Sequence, residues 1–207
     1  MVGGIVMNNA SGMNCGTHAN SDKELLSAKI VLADGTRLNT GDPESRMTFE
    51  KNHTPFLNKI IEIRDEIRND NELSDRIRKK YSIKNVTGLN LLPFVIYDDP
   101  FDIIAHLMVG SEGTLAFLSE VTMKTEHDYP YSASAMLYFS NIKDACRAVV
   151  AMKPGPVFSA ELLDKKSLAS VNDTTGTGLT AVLTETKADT PEAVSYTHLT
   201  LPTKLEV

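Results

Sequence analysis

The segment His106-Leu-Met-Val-Gly110-Ser-Glu-Gly113-Thr-Leu-Ala-Phe-Leu-Ser-Glu-Val-Thr122 holds the pattern on which the fold of this chain depends. It predicts the end of a short helix, a tight turn at Gly110 and Gly113, and then a β-strand. Glycine adopts positive φ without steric cost and leaves its backbone N–H uncovered, so a flat ligand can lie directly against such a turn. The apolar residues of the strand recur with a period near two: Leu115, Phe117, Val121 and Met123. This alternation predicts a buried strand, and without further information it fits a plain hairpin end as well as a ligand floor.

Three other segments carry residues typical of loops and hairpins. Residues 3–16 are rich in Gly, Asn and Ser, which favour turns and left-handed backbone. Asp34-Gly35 lies between a strand predicted over 25–32 and a return at 36–38, and this dipeptide favours a two-residue type I′ hairpin. The segment Lys84-Asn-Val-Thr-Gly88 lies in a region predicted to be mostly loop, up to Asp99.

Taken together, these segments resemble the motifs of the FAD-linked oxidase family, which has the vanillyl-alcohol-oxidase-like (PCMH-type) FAD-binding fold. Gly110-Ser-Glu-Gly-Thr-Leu115 with Ser119-Glu-Val-Thr122 resembles the family signature. Gly3-Gly4 with Asn9-Ala-Ser-Gly12, the Asp34-Gly35 hairpin, and residues 84–88 with 98–102 resemble its other motifs in the same order. The resemblance covers residues 3–125. It is closest to long D-lactate and D-2-hydroxyglutarate dehydrogenase-like flavoproteins that carry an iron–sulfur domain after the flavin part.

The resemblance implies a set of FAD-binding residues: Gly4, Asn9, Gly12, Gly110, Glu112, Gly113 and Phe117. Asn9 and Gly12 would lie against the pyrophosphate or ribose, and Phe117 would contact the adenine end through its main chain. Two positions depart from the family pattern, because Ala116 stands where the family usually has Gly and Leu89 where many relatives have an aromatic residue. No catalytic base and no metal ligand is assigned within the chain.

The domain organisation predicted from these patterns is α+β in two parts. Residues 1–128 resemble the C-terminal part of a PCMH-type FAD-binding domain, whose N-terminal subdomain, with its glycine-rich pyrophosphate loop, is expected upstream. From residue 129 to 193 the order β-α-β-α-β predicts the start of a ferredoxin-like unit, which the resemblance identifies as the substrate (cap) domain. Residues 194–207 resemble the translation of a sequencing adapter and are expected to pack against nothing. We therefore expect an internal fragment of a longer enzyme.

Several helices are predicted between the hairpin and the central segment. Asp42-Pro43 and Thr54-Pro55 each favour a helix start, and the second helix is expected to end near residue 69. Residues 72–80 predict a further helix, capped by Asn71. Its last turn is basic, which fits a solvated face, although docking of an iron–sulfur domain or another acceptor stays open. Asp98, Asp99 and Asp102 are interpreted as charges at a helix N-terminus rather than as a metal site.

Composition and charge narrow the classes of function. The 207 residues carry 21 Lys and Arg against 27 Asp and Glu, a net charge of −6, which argues against a nucleic-acid-binding surface. No apolar run approaches the roughly 18 residues that span a bilayer. Cys15 and Cys146 are far apart in sequence and lack metal-ligand spacing, which fits a reduced, cytoplasmic setting.

The function implied by the resemblance is FAD-dependent oxidation of a D-2-hydroxy acid, of the D-lactate or D-2-hydroxyglutarate class, to the 2-oxo acid. Hydride would pass to the flavin, and electrons would leave through an iron–sulfur domain or another acceptor. The alternatives are a non-catalytic nucleotide-binding or interaction module with the same fold, and a cell-wall sugar reductase of the same superfold. Because half of the flavin cradle is expected upstream, the isolated chain is expected to bind FAD weakly or not at all.

Overall fold

A computed structural model describes residues 2–12, 15, 19–83, 88–153, 155, 157–170 and 178–193. The molecule mixes helices and sheets, as the α+β prediction requires. It divides into two compact units: the first contains the described parts of Met1–Gly12 and Thr17–Glu126, and the second consists mainly of the residues from His127 onward. The segments 84–87 and 194–207, to which a family motif and an unpacked tail were assigned from sequence, lie outside the described residues.

The first unit packs helices against a three-stranded antiparallel sheet of order β2-β1-β3. Its elements are α1 (Val2–Met7), α2 (Ser21–Glu24), β1 (Leu25–Val31), β2 (Arg37–Asn39), α3 (Pro43–Asn69), α4 (Asn71–Lys80), α5 (Leu92–Ile96), α6 (Pro100–Leu107) and β3 (Phe117–Met123). Its core combines the inward side chains of β1 with those of α3 and α6, among them Ile30, Phe49 and Ile103. One expectation was wrong here, because residues 2–7 form a helix rather than a loop. Within the region predicted to be mostly loop, residues 92–96 form a short helix.

The β1–β2 hairpin differs from the predicted type I′ turn. Apart from glycines, only Asn9 and Glu112 have positive φ among the described residues. Asp34 is therefore not left-handed, whereas Gly35 has φ 86°. Gly35 N–H donates to Leu32 O at 2.9 Å, and Leu32 N–H donates to Thr36 O at 2.8 Å. This is the three-residue loop in which a type I turn is followed by a left-handed glycine.

The long helix α3 contains the two predicted helices, separated by a kink. His53 has non-helical backbone angles (φ −130°, ψ 30°) just before Pro55, whose ring removes a backbone donor and crowds the preceding turn. The helix start predicted at Thr54-Pro55 is therefore the position of the kink. The cap of α4 is Asp70, whose side chain accepts from Leu73 N–H at 2.9 Å, so the assignment of Asn71 as the cap was wrong.

Strand β3 is not the regular buried strand that its alternation predicted. The ladder pairs Lys29 with Glu120 and Ile30 with Leu118, so Ser119 is an extra residue that forms a β-bulge. The bulge changes the sheet face to which the side chains before it point. Leu118 is therefore buried at 7% exposure, while Phe117 is 69% exposed. Phe117 therefore lies on the opposite face from the one that its spacing to Val121 indicated.

The second unit is a three-stranded sheet of order β4-β6-β5 with helix α7 packed against it. Its elements are β4 (Tyr131–Phe139), α7 (Ile142–Met152), β5 (Val157–Leu163), α8 (Lys165–Ser170) and β6 (Thr180–Ala188). β6 runs antiparallel to both neighbours, so β4 and β5 are parallel to each other and joined by α7. This split β-α-β arrangement is the one found in ferredoxin-like units. The β-α-β-α-β order predicted from sequence is confirmed.

Candidate functional site

Helix α6 brings the chain into the candidate site and is anchored at its first turn. Asp99 caps the helix by accepting a hydrogen bond from Phe101 N–H at 2.8 Å. Arg46 of α3 forms ion pairs with Asp99 at 2.6 Å and with Asp102 at 3.2 Å. Asp98 pairs with Arg68. All three carboxylates therefore have a guanidinium partner, which agrees with their interpretation as helix N-terminal charges.

The turn after α6, which we call the glycine turn (residues 108–116), carries three left-handed residues. Gly110 has φ 80°, Glu112 has φ 54° and Gly113 has φ 75°. The helix end, the turn and the following strand occur in the predicted order. The left-handed region is costly for a residue with a side chain, so the conformation of Glu112 requires support from its surroundings.

That support comes from the segment at the end of α1. Glu112 N–H donates to Met7 O at 3.0 Å, and Asn8 Nδ2 donates to Glu112 Oε1 at 2.7 Å. One bond uses the backbone and the other the side chain of the same residue. The glycine turn and residues 7–9 are thereby fixed against each other, although about a hundred residues separate them in sequence.

Gly110 is the point of closest approach in the glycine turn. A Cβ on Gly110 would lie 3.2 Å from Gly88 O and 3.8 Å from Asn9 Cβ. A Cβ on Gly113 would meet only Met7 Sδ, at 3.9 Å. The side of Gly110 on which a side chain would project is therefore occupied by Gly88 O and Asn9.

Asn9 links this site to the start of α2. It is buried at 4% exposure and has φ 52°, a conformation that asparagine tolerates better than most residues. Its Oδ1 accepts a hydrogen bond from Asp22 N–H at 3.3 Å. Next to it, Ser21 Oγ donates to Ala10 O at 3.0 Å. The side-chain amide of Asn9 therefore positions protein backbone.

The residues predicted from sequence fall into two groups. Asn9, Gly110, Glu112 and Gly113 lie together, through the contacts described above. Gly4 lies inside α1, and at both Gly4 and Gly12 an added Cβ would meet nothing within 4 Å, so local packing leaves open space at these two positions. Phe117 begins β3, where its main chain pairs with Val31 and its side chain lines an open groove of about 490 Å³.

Four buried side-chain oxygens near these elements have no hydrogen-bond partner among the described residues: Ser11 Oγ, Asp22 Oδ1, Glu24 Oε2 and Ser111 Oγ. Ser111 is the most enclosed of them, at 2% exposure, and lies between the left-handed Gly110 and Glu112. An unsatisfied buried hydroxyl is costly and calls for a ligand, ion or water. Sequence reasoning missed Ser111, although its place inside the Gly-Ser-Glu-Gly motif was a usable signal.

His106, which is buried near the end of α6, forms a pair with the partly buried Tyr97. Their rings stack with centroids 4.2 Å apart, and Tyr97 Oη lies 3.0 Å from His106 Nε2. His106 Nδ1 lies 2.8 Å from Asp102 O, which can only accept a hydrogen bond. In the neutral imidazole the proton is therefore on Nδ1, and Tyr97 donates to Nε2.

Burial lowers the pKa of His106, against the opposing influence of its hydrogen bond to Asp102 O and of the nearby carboxylates of Asp102 and Asp22. Burial, together with the same two carboxylates, raises the pKa of Tyr97. Both shifts keep the pair neutral at physiological pH. The pair thus serves as a neutral, hydrogen-bonded support for the end of α6.

The structure holds no group of three or more His, Cys, Asp or Glu side chains suited to a metal ion within the described ranges. In the same part of the chain no helix has both the length and the apolar character to cross a membrane.

Comparison with protein-family models gives no match for this chain. Among curated proteins, it is 33% identical over 79 residues to the mitochondrial D-lactate dehydrogenase [cytochrome] of Arabidopsis thaliana. The matched segment makes up 37% of this chain and 14% of that protein. The match supports a coarse assignment as an oxidoreductase and, at most, a relationship to the FAD-linked oxidase family.

Proposed function

We propose that this chain is part of an FAD-dependent oxidoreductase that converts a D-2-hydroxy acid, of the D-lactate or D-2-hydroxyglutarate class, to the 2-oxo acid. The observation that carries the proposal is the closure of the glycine turn against residues 7–9. Two motifs assigned to FAD binding from sequence, one at each end of the first unit, meet through the hydrogen bonds of Glu112. The partial similarity to a D-lactate dehydrogenase supports the same chemistry.

The residues at this site fit the backbone of a dinucleotide. Gly4 and Gly12 leave space that side chains would fill, and Ser111 Oγ is a buried hydroxyl without a partner. A buried hydroxyl without a partner is a suitable ligand for a phosphate or ribose oxygen. In this proposal Gly4, Asn9, Gly12, Gly110, Glu112, Gly113 and Phe117 surround the cofactor as a PCMH-type domain does.

FAD supplies the hydride acceptor when it is bound, and the protein supplies placement and surroundings. The glycine turn keeps side chains away from the ligand. Asn9 fixes the backbone on one side of it, and the neutral His106–Tyr97 pair adds no charge at the end of α6. The hydroxy acid, its base, and the iron–sulfur domain or other electron acceptor are contacted by polypeptide other than these residues. We place the activity in the cytoplasm.

The test uses the longest natural polypeptide that contains this sequence, since the matched relative is much longer than the matched segment. We expect a yellow protein that reduces an artificial electron acceptor with D-lactate or D-2-hydroxyglutarate. Ser111→Ala removes the unpaired hydroxyl, so it should leave the stability of the flavin-free protein unchanged or raise it, while it weakens FAD binding by roughly tenfold, the value of one hydrogen bond.

Ser82→Ala, which removes an exposed hydroxyl bonded to Lys79 O, is the matched control and should leave FAD affinity unaltered. A colourless protein that gains no flavin absorbance on incubation with FAD would refute the proposal. Tight binding of a nucleotide without turnover of any 2-hydroxy acid would instead favour a non-catalytic nucleotide-binding module.

A further inference from the structure

Position 112 holds a long side chain where the backbone favours glycine. Glu112 has φ 54°, and the two other left-handed residues of the glycine turn are glycines, Gly110 and Gly113. The left-handed region is costly for a residue with a side chain, so a glutamate needs a contact that glycine cannot make. The backbone bond from Glu112 N–H to Met7 O would be open to a glycine as well. The contact that requires the glutamate is therefore made by its side chain.

That contact is the hydrogen bond from Asn8. Asn8 Nδ2 donates to Glu112 Oε1 at 2.7 Å, and in the described part of the chain the Glu112 side chain has no other hydrogen bond or ion pair. A carboxylate oxygen can only accept, so the amide presents its nitrogen. A hydrogen bond to a charged acceptor is stronger than one between neutral groups. A carboxylate also repels phosphate, so Glu112 is better suited to bind Asn8 than the pyrophosphate of a dinucleotide.

Asn8 donates from a backbone that α1 holds in place. Its N–H donates to Gly4 O at 3.0 Å, and the N–H of Asn9 donates to Val6 O at 2.8 Å, so the hydrogen bonds of α1 continue into both residues. Val6 is buried at 1% exposure and belongs to the core of the first unit. A side chain on an anchored backbone can fix the distance between the end of α1 and the glycine turn.

We propose that Asn8 is a positioning residue for the cofactor site, and that the Glu112 side chain contributes to FAD binding through Asn8 rather than by touching FAD. The hydrogen bond between the two, which we call the clamp, sets the gap between the glycine turn and the end of α1 before the cofactor arrives. A site that is already shaped loses less conformational freedom on binding, so its ligand binds more tightly. The inference rests on the proposed function, because FAD is the ligand for which the clamp shapes the site.

The test exchanges the two side-chain groups in variants of almost identical shape, made in the longest natural polypeptide that contains this sequence. In Asn8→Asp two carboxylates oppose each other, so we expect the FAD dissociation constant to rise by roughly tenfold. In N8D/E112Q the new glutamine donates to the new aspartate, which reverses the same bond. The constant should then return to within about twofold of wild type. Titration of the flavin-free protein with FAD, followed by flavin fluorescence, measures the constant.

Glu112→Gln separates the clamp from plain charge repulsion. If the charge at this site acted only by repelling the phosphates, N8D would weaken FAD binding and E112Q would tighten it by the same factor. With the clamp, the new glutamine still accepts from Asn8, so E112Q should weaken binding by less than about threefold, and the double-mutant cycle should be non-additive. Asn58→Asp adds the same charge at an exposed asparagine of α3, and this matched control should leave FAD affinity unaltered.

Two further measurements distinguish positioning from a merely structural role. Asn8 and Glu112 are both exposed, and the bond from Glu112 N–H to Met7 O is available in every variant. The urea midpoint of the flavin-free protein should therefore change little. At saturating FAD, each variant should turn over the 2-hydroxy acid that the wild type oxidises at the wild-type rate, because the clamp shapes the site without touching the reacting atoms.

Three outcomes would overturn the proposal while leaving the proposed function intact. One is N8D binding FAD as tightly as wild type. Another is an additive cycle in which E112Q tightens binding. The third is a loss of affinity in N8D that N8D/E112Q does not reverse. A wild-type protein that binds no FAD would instead refute the proposed function, and the inference about Asn8 with it.

Discussion

At the residue scale, Gly110 and Gly113 share a left-handed backbone but differ in what surrounds them. Alanine at either position costs about 1–2 kcal/mol for its conformation. At Gly110 the new Cβ would also lie 3.2 Å from Gly88 O, whereas at Gly113 the nearest atom is at 3.9 Å. We therefore expect G110A to reduce the free energy of unfolding by roughly 1–3 kcal/mol more than G113A, measured by urea unfolding. Equal losses would show that the turn is not held against residue 88.

His106 makes the stability of the first unit depend on pH. Its pKa in the folded chain is lowered by burial, below the value of about 6.5 expected when it is unfolded. The unfolded chain therefore binds a proton first as pH falls. The stability due to neutral His106 is complete above about pH 6.5 and is lost as pH falls toward the lowered folded pKa, by at most about 1.4 kcal/mol per pH unit.

The measurement is the free energy of unfolding from pH 7.5 to 5, with H106Q as the comparison. Glutamine does not titrate, so the loss between pH 6.5 and 5 should be smaller in H106Q than in the wild type. The carboxylates with lowered pKa, such as Asp98 beside Arg68, act at lower pH and are common to both proteins. Parallel pH curves for the two proteins would contradict the assignment.

At the element scale, β3 shows how one extra residue changes which side chain holds a sheet to its helices. The bulge at Ser119 buries Leu118 and exposes Phe117. We expect Leu118→Ala to cost about 2–4 kcal/mol, as in other cores, and Phe117→Ala to change stability by less than about 0.5 kcal/mol. Thermal or urea unfolding of the two variants checks this. A larger loss of stability for Phe117→Ala than for Leu118→Ala would instead support the regular alternation predicted from sequence.

The features of the fold that sequence predicted are local ones. Asp99 caps α6 because a side-chain oxygen near a helix start reaches the free N–H groups a few residues later. The bulge in β3 was not predictable, because it depends on which residues of β1 lie opposite. The turn at Gly35 took a different type for a related reason: Asp-Gly suits several hairpins, and the strand register selects among them.

In the candidate site, too, the local features were predictable from sequence and the long-range contacts were not. Gly110 and Gly113 were predictable, since a left-handed turn favours glycine and the motif supplies it. The bonds of Glu112 to Met7 and Asn8 were not, because they join segments far apart in sequence. Ser111 was missed because a serine in a glycine-rich turn is usually solvated, and only the fold shows that its hydroxyl is enclosed.

At the scale of the whole molecule, the two units have hydrophobic cores of very different size. The buried core of the first includes large side chains such as Phe49, Ile103 and Leu57. Among the described residues of the second unit, the core cluster consists of Ala145, Ala148, Met152 and Val182, with partly buried neighbours. Since stability grows with the apolar surface that a unit buries, the second unit should open at a lower free energy.

Hydrogen exchange read by mass spectrometry tests this for each unit separately. Amides of β6 should exchange faster than those of α6, although both elements are largely buried. Val182→Ala, which shortens a side chain with 0% exposure, should lower protection by roughly 1–3 kcal/mol in peptides from residues 131–188. Leu118→Ala should lower the protection against exchange in peptides from the first unit. If either substitution reduced protection equally in both units, the two cores would form one cooperative structure, and the smaller core would gain its stability from the larger.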